Sequence, residues 1–284
     1  MEINGRTIQL GKIGDPIGHS FSPQMHNFIS KYMGNNYIYS AFNVKPQDLS
    51  KAIEGIRALN IRGVNVTAPH KINVMQYLDE ISPDAKILGS VNTVVNNNGV
   101  LTGYNTDSEG FYTSLVKAGI TVKNSNILVM GCGGVVNPTL IRIIKEQPNS
   151  ITLLNRTKEK AIDFAEKIYN ITGYRIKTDI SNIDYNIIIN TTMAGMEHNI
   201  DALPWDSIDG LDCEKYFNKN VSAVDMIYNP EETKFLKMAK DKGCKTLNGL
   251  GMLIYQGIIA YELFTDTTLP QNITELITKE VFNR

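Results

Sequence analysis

The sequence is poor in the features that mark several classes of protein. Only three cysteines, Cys132, Cys213 and Cys244, stand among 284 residues. They are widely separated and odd in number, which suits free thiols in a reducing compartment and argues against a disulfide framework. The four histidines, His19, His26, His70 and His198, have no Cys-x-x-Cys companion and no i, i+4 spacing, so no metal is expected. No run of about 18 uninterrupted apolar residues occurs. The first ten residues place Glu2, Asn4 and Arg6 among single apolar residues, so the chain is expected to be cytoplasmic, neither exported nor membrane-spanning. Twenty-eight Lys plus Arg against 29 Asp plus Glu leave a net charge of −1. There is no concentrated basic run to follow a phosphate backbone, which argues against nucleic acid as a partner. Internal repeats and low-complexity segments are absent as well.

What is present is an α/β rhythm in a chain long enough for two domains. Up to Leu88, short apolar runs (Ile8 to Ile13, Tyr37 to Val44, Gly63 to Val66) alternate with stretches of helical period such as Ala52-Ile53-Ile56-Leu59. Val91 to Val95 and Val100 to Tyr104 flank Asn98-Gly99, the signature of a tight hairpin turn. That pairing puts Asn92 opposite Asn105 and brings Asn92 and Asn105-Thr106-Asp107 to one end. Asp107 reads as the N-cap of a helix carrying Phe111, Leu115 and Val116, the link into a second domain. From Asn126 onward, strands (Ile127 to Met130, Ile151 to Leu154, Tyr185 to Asn190, Val221 to Met226) alternate with helices, ending in a long apolar helix from Gly249 to Leu263. Strands apolar almost throughout predict a parallel sheet covered on both faces.

Gly131-Cys132-Gly133-Gly134 follows the first of these strands and precedes a helix. Glycines allow close approach, and a helix N-terminus supplies free N–H groups, so the turn can hold a pyrophosphate; the blander reading is a tight turn with no ligand. The next strand ends in Asn155-Arg156-Thr157, where an acidic residue would serve NAD. Arg156 can instead hold a 2′-phosphate through its planar fork, Thr157 adds a hydroxyl, and Lys158 and Lys160 add positive field, so NADP is the expected cofactor.

The first half carries two polar turns. Gly14-Asp15-Pro16-Ile17-Gly18-His19-Ser20-Phe21-Ser22-Pro23 puts two hydroxyls at a strand end and a helix start, suited to a carboxylate; Ser22 with Pro23 also reads as an N-cap and N1 pair. Val64-Asn65-Val66-Thr67-Ala68-Pro69-His70-Lys71 reads as a strand leading into a helix, with Lys71 near its first turn. A lysine there opposes the helix dipole, and Asp107 is its candidate partner; together they can relay a proton as hydride moves.

These strings together resemble the shikimate dehydrogenase family over almost the whole chain. The resemblance also rests on Val91-Asn92-Thr93, Asn105-Thr106-Asp107 and Gly249-x-Gly251-Met252-Leu253-x-x-Gln256. It implies an α/β fold of two domains, an α/β substrate domain of residues 1–106 plus 249–284 and a doubly wound Rossmann-type NADP domain of 107–248. Catalysis would fall to Lys71 with Asp107. Substrate would be held by Ser20, Ser22, Asn65, Thr67, Asn92, Tyr228 and Gln256. The cofactor would lie on Gly131, Cys132, Gly133, Gly134, Val135, Asn155, Arg156, Thr157, Lys160, Met226 and Gly249. The implied activity is NADPH-dependent reversible reduction of 3-dehydroshikimate to shikimate in aromatic amino acid biosynthesis, by a monomer or homodimer. The alternatives are an NAD-using quinate/shikimate dehydrogenase and an inactive nucleotide-sensing homologue. One stretch departs from the family: Val135-Val136-Asn137-Pro138 replaces small residues, and Asn-Pro predicts a helix starting near Pro138, about four residues late, which would move its positive end roughly 6 Å.

Overall fold

A computed structural model describes residues 3–134, 136–181, 183–208 and 211–283; Val135, one of the expected cofactor residues, lies outside them. The chain divides into two compact units, Met1–Thr106 with Ile254–Arg284, and Asp107–Leu253. The sequence places the return to the first unit at Gly249. The chain crosses at Ile254 instead, one turn inside the last long helix.

Unit 1 contains β1 (Ile8–Gly14), α1 (Ser22–Tyr32), β2 (Tyr37–Asn43), α2 (Leu49–Ala58), β3 (Gly63–Val66), β4 (Glu80–Ile81), α3 (Pro83–Leu88), β5 (Thr93–Asn97) and β6 (Val100–Tyr104). Its sheet runs β2-β1-β3-β5-β6-β4. The β1 pairs are parallel, and the β3–β5 and β5–β6 pairs are antiparallel. Leu49, Ile53 and Ile56 line one face of α2 and pack on Ile13, Val64, Val66, Val94 and Leu101 of the sheet. At the hairpin, Asn98 (φ 52°) and Gly99 (φ 92°) both take the left-handed conformation that a two-residue turn needs. Thr93 pairs with Tyr104 and Asn97 with Val100, the register expected from the sequence.

Unit 2 contains α4 (Asp107–Lys117), β7 (Asn126–Met130), α5 (Val136–Ile144), β8 (Ser150–Leu154), α6 (Lys158–Thr172), β9 (Ile187–Asn190), β10 (Ser222–Asp225), α7 (Lys234–Asp241) and β11 (Lys245–Leu247). Helix α8 (Leu250–Thr265) begins there and ends in unit 1, followed by α9 (Ile273–Phe282). Within unit 1, Arg62 Nε donates to Phe264 O at 2.8 Å, a cation at the C-terminal end of α8.

All pairs in the second sheet are parallel, in the order β8-β7-β9-β10-β11. Counted from β7 this is 2-1-3-4-5, the doubly wound order whose switch point, between β7 and β9, is where ligands bind beyond the strand ends. Ile127, Leu128, Val129 and Met130 are at most 1% exposed, as a strand covered on both faces requires.

Helix α5 corrects the expected late start. It begins at Val136, with Val136 N donating to Gly133 O at 3.0 Å, and Pro138 is its third residue. In a helix's first turn the N–H groups have no intrahelical acceptor, so the missing donor of proline is tolerated there. The roughly 6 Å displacement of the positive end therefore does not arise.

Candidate functional site

In unit 2 the turn after β7 needs glycine first for its backbone and again for its space. Gly131 has φ 110°, and a Cβ there would stand 2.7 Å from Thr191 Oγ1 and 2.9 Å from Thr192 Cγ2. Gly133 and Gly134 are uncrowded: a Cβ at Gly133 would meet only Thr191 O, at 3.8 Å, and one at Gly134 nothing. Their main chain is thus open to an anion just before the N-terminus of α5. Across the turn, at the end of β8, Asn155 Nδ2 donates to Thr157 O at 3.0 Å. Thr157 caps α6 without a side-chain bond, which leaves its hydroxyl for a ligand. Lys158 pairs with Asp179 at 2.6 Å, whereas the exposed Arg156 makes no hydrogen bond or ion pair among the described residues.

Gly131 to Gly134, Asn155, Arg156, Thr157 and Lys160 line one cleft of about 750 Å³, closed opposite by Thr191, Thr192 and the turn around Leu203. That volume lies in the range of cofactor sites, and the chemistry fits a dinucleotide phosphate: open amides for a pyrophosphate and a guanidinium for a further phosphate. Cys132 brings no nucleophile, because burial pushes its thiol up to about 11 against the weaker pull of Lys160. Met226 and Gly249 are not part of that lining. They pack on each other: a Cβ at Gly249 would sit 2.1 Å from Met226 O, and Gly249 N donates to Ile227 O at 2.9 Å. Asp225, next to Met226, is 1% exposed. It accepts from Asn190 Nδ2 (3.1 Å), Ile227 N (3.0 Å) and Thr233 Oγ1 (2.7 Å), fixing the ends of β9 and β10 together.

In unit 1 the polar residues form two hydrogen-bonded groups, one around Ser22 and one running from Tyr39 to Thr106. Ser22 N donates to Ser20 Oγ at 3.2 Å, and Ser22 Oγ accepts from Lys12 Nζ at 3.2 Å. Tyr39 Oη donates to Asn65 Oδ1 at 2.7 Å, and Asn65 Nδ2 donates to Thr93 Oγ1 (3.0 Å) and Asn92 O (3.3 Å). Thr93 Oγ1 donates to Asn92 Oδ1 (3.0 Å), which also accepts from Thr106 N (2.8 Å), and Asn92 Nδ2 donates to Thr106 Oγ1 (3.0 Å). Asn65 thus has both amide hydrogens committed, while Asn92 keeps one.

Two local expectations are corrected. Ser22 is the first residue of α1 and not its cap: Phe21 already has helical angles (φ −80°, ψ −3°), no side-chain cap bond forms, and the Ser22 hydroxyl turns to Lys12 instead. No α-helix follows Thr67 either. Half-buried Lys71 sits in a turn before a single 3-10 stretch, Asn73–Tyr77. Two residues beyond that stretch Asp79 is bound to Leu101 N and to Arg57, both at 2.7 Å, so the chain must return to the sheet before a helix can propagate. The remaining residues of the turn are also placed. Thr67 N donates to Ile13 O at 3.0 Å, and Lys71 O accepts from Val91 N at 2.8 Å, which ties the lysine's backbone to the strand of Asn92. Buried His70 meets Val44 O through Nε2 at 2.6 Å and is structural.

Gln256 is half-buried on α8 in unit 1, while Asp107, 7% exposed, opens α4 in unit 2. Tyr228 is half-buried in unit 2, and burial raises its hydroxyl above the usual tyrosine value. Sequence reasoning missed Lys12 and Tyr39. The signal for Lys12 was available: a lone cation between Gly11 and Ile13 in an otherwise apolar strand.

The chain is similar to known proteins over nearly its whole length. The shikimate dehydrogenase substrate binding domain matches residues 13–94, and the shikimate 5′-dehydrogenase C-terminal domain matches 249–278. Shikimate dehydrogenase (NADP(+)) of Alkaliphilus oremlandii is 43% identical, covering 99% of both chains. A crystal structure of a shikimate dehydrogenase with NADP+ superposes with a TM-score of 0.88 at 39% identity, covering 99% of this chain and 97% of its own. That of the shikimate 5-dehydrogenase of Listeria monocytogenes, in complex with shikimate and NAD, superposes with a TM-score of 0.88 at 34% identity, covering 98% of each chain.

Proposed function

This chain belongs to the shikimate dehydrogenase family, and on that premise we propose how its residues carry out the reversible NADPH-dependent reduction of 3-dehydroshikimate to shikimate. The chain is an NADP-dependent oxidoreductase of aromatic amino acid biosynthesis. The observation that carries the assignment of residues is the hydrogen-bonded run of unit 1 from Tyr39 through Asn65, Thr93 and Asn92 to Thr106. It holds donors and acceptors at fixed angles, as recognition of a ring bearing several hydroxyls requires.

Ser20 and Ser22 take the substrate carboxylate. Thr67, Asn92, Tyr228 and Gln256 take ring oxygens, Asn92 through its remaining amide hydrogen. Asn65, whose amide hydrogens are both used, positions Tyr39 and Thr93 and offers a ligand at most one lone pair. The glycine turn, Asn155, Arg156, Thr157 and Lys160 bind the nucleotide phosphates, with Met226 and Gly249 toward the nicotinamide. The bound cofactor supplies the hydride. Lys71 gives its proton to the carbonyl oxygen as that oxygen gains charge, so that ketone plus hydride plus proton become the alcohol, with Asp107 as the proposed partner of the lysine.

No helix of the described residues is long and apolar enough to cross a membrane. The three free cysteines fit a reducing cytoplasm, and light scattering separates a monomer from a homodimer. The test of function is the absorbance of reduced nicotinamide with shikimate or quinate and NADP or NAD in turn. The fastest pair is expected to be shikimate with NADP. A faster quinate or NAD reaction, or none with any pair, would overturn the reading.

A further inference from the structure

Lys12 lies in the middle of β1, paired across the sheet with Ala41 on one side and Asn65 on the other. Register partners project to the same face, so its side chain shares the face of Asn65. Both of its strand neighbours, Gly11 and Ile13, are packed against protein: Ile13 is 2% exposed, and a Cβ on Gly11 would stand 3.0 Å from Ser40 O. The ammonium ends 3.2 Å from Ser22 Oγ, on a serine that is itself 2% exposed. Tyr39 in turn feels a hydrogen bond from Ser22, which works against the rise that burial imposes on the phenol. Ser22 Oγ, already accepting from Lys12, is neutral and brings an anion no charge of its own.

From this arrangement we infer that Lys12 is a recognition residue for the substrate carboxylate, supplying the positive charge that the two serines lack. The inference rests on the assignment of Ser20 and Ser22 to that carboxylate. An ammonium carries three hydrogens in a compact point charge, so it can bridge the Ser22 oxygen and a carboxylate oxygen at once. Hydrogen bonds between ionised partners are about twice as strong as neutral ones, and away from bulk water they favour the anion over any neutral group of the same shape. Two hydroxyls alone would accept an ester or amide nearly as well as an acid. With Lys12 the site prefers the ionised acid.

The test compares shikimate with its methyl ester as substrates of the full-length enzyme with NADP. In Lys12→Met, kcat/KM for the acid should fall about 10-fold or more, through KM, while that for the ester changes less than about 2-fold. Lys12→Arg should keep most of the acid preference, because it keeps the charge. An equal loss for acid and ester in Lys12→Met would make Lys12 structural and overturn the inference, as would an unchanged acid preference. So would a Lys12→Arg variant that has lost the wild-type acid preference, which leaves a test even if Lys12→Met does not fold. Ser20→Ala separates the two levels. Lost acid preference there with none lost in Lys12→Met overturns the role of Lys12 alone. No loss in either removes the serine assignment with it.

Discussion

The two units prepare for their ligands in opposite ways. In unit 1, Ser22 is already bonded to Lys12 and Ser20, and Asn65, Thr93, Asn92 and Thr106 to one another, at distances from 2.8 to 3.3 Å. In unit 2 the cleft is open: Arg156 is unpaired among the described residues, Thr157 spends no side-chain bond on its helix, and Gly133 and Gly134 leave the main chain bare. The difference suits the ligand proposed for each. Neutral hydroxyls on a ring are told apart only by direction, so their partners must be locked beforehand. Phosphates are recognised by charge and by any well-placed N–H, so exposed cations and open amides serve.

The largest expected effect tests Lys71, the residue of unit 1 proposed to act rather than hold. Lys71→Ala should lower kcat by about 10²- to 10⁴-fold with KM for shikimate nearly kept, as steady-state kinetics would show. Near-normal turnover would remove Lys71 from the chemistry.

Acid should distinguish the units next, with opposite signs. His26 in unit 1 stacks on Tyr39 at 4.2 Å between centroids, and neither ring nitrogen has a hydrogen-bond partner among the described residues. Burial, helped by the charge of Lys12, holds it down to about 3 from 6.5. The unfolded chain therefore binds that proton more tightly. The stability from a neutral His26 is complete above pH 6.5 and is lost, by an amount on the order of several kcal/mol, as pH falls toward 3. Asp225 in unit 2 is raised by burial from 3.8 to about 6, despite the three bonds it accepts. Here the folded state binds the proton more tightly, so this contribution is present below pH 3.8 and declines as pH rises to about 6. Melting curves between these limits should show His26→Phe flattening the acid loss and Asp225→Asn flattening the opposing trend. Parallel curves for wild type and His26→Phe would mean the imidazole is solvated in the native state.

A smaller effect tests the open cleft. Arg156→Ala should raise KM for NADP by about 10- to 100-fold and leave that for NAD within about 2-fold, since one charge-assisted fork is worth roughly 1.5 to 3 kcal/mol. Equal losses for both cofactors would mean Arg156 does not read the 2′-phosphate.

The same contrast explains how much could be read from sequence. Open, local features were legible because each depends on adjacent residues: the glycine turn and Asn155-Arg156-Thr157 line one cleft, and the Asn98-Gly99 hairpin takes its expected register. The locked network was legible only by members, because its bonds join residues such as Tyr39 and Asn65 that are 26 positions apart. Lys12 and Ser22 are 10 apart but on different elements, so no periodicity links them. The turn at Lys71 misled because helix-like composition could not reveal that Asp79 is claimed by Leu101 and Arg57.

The smallest expected effect concerns the place where local reasoning overreached in the open cleft. Asn-Pro at 137–138 has the chemistry of a helix start, yet α5 begins at Val136 because a proline in the first turn forfeits no bond. The positive end of the helix then stays by the glycine turn, and Pro138 contributes little beyond its own rigidity. Pro138→Ala should therefore change NADP affinity by less than about 2-fold and stability by no more than about 0.5 to 1 kcal/mol, as titration and denaturant melts would measure. A larger gain in affinity would mean that proline holds the first turn away from the phosphates, and that the cleft is less open than its uncrowded glycines imply.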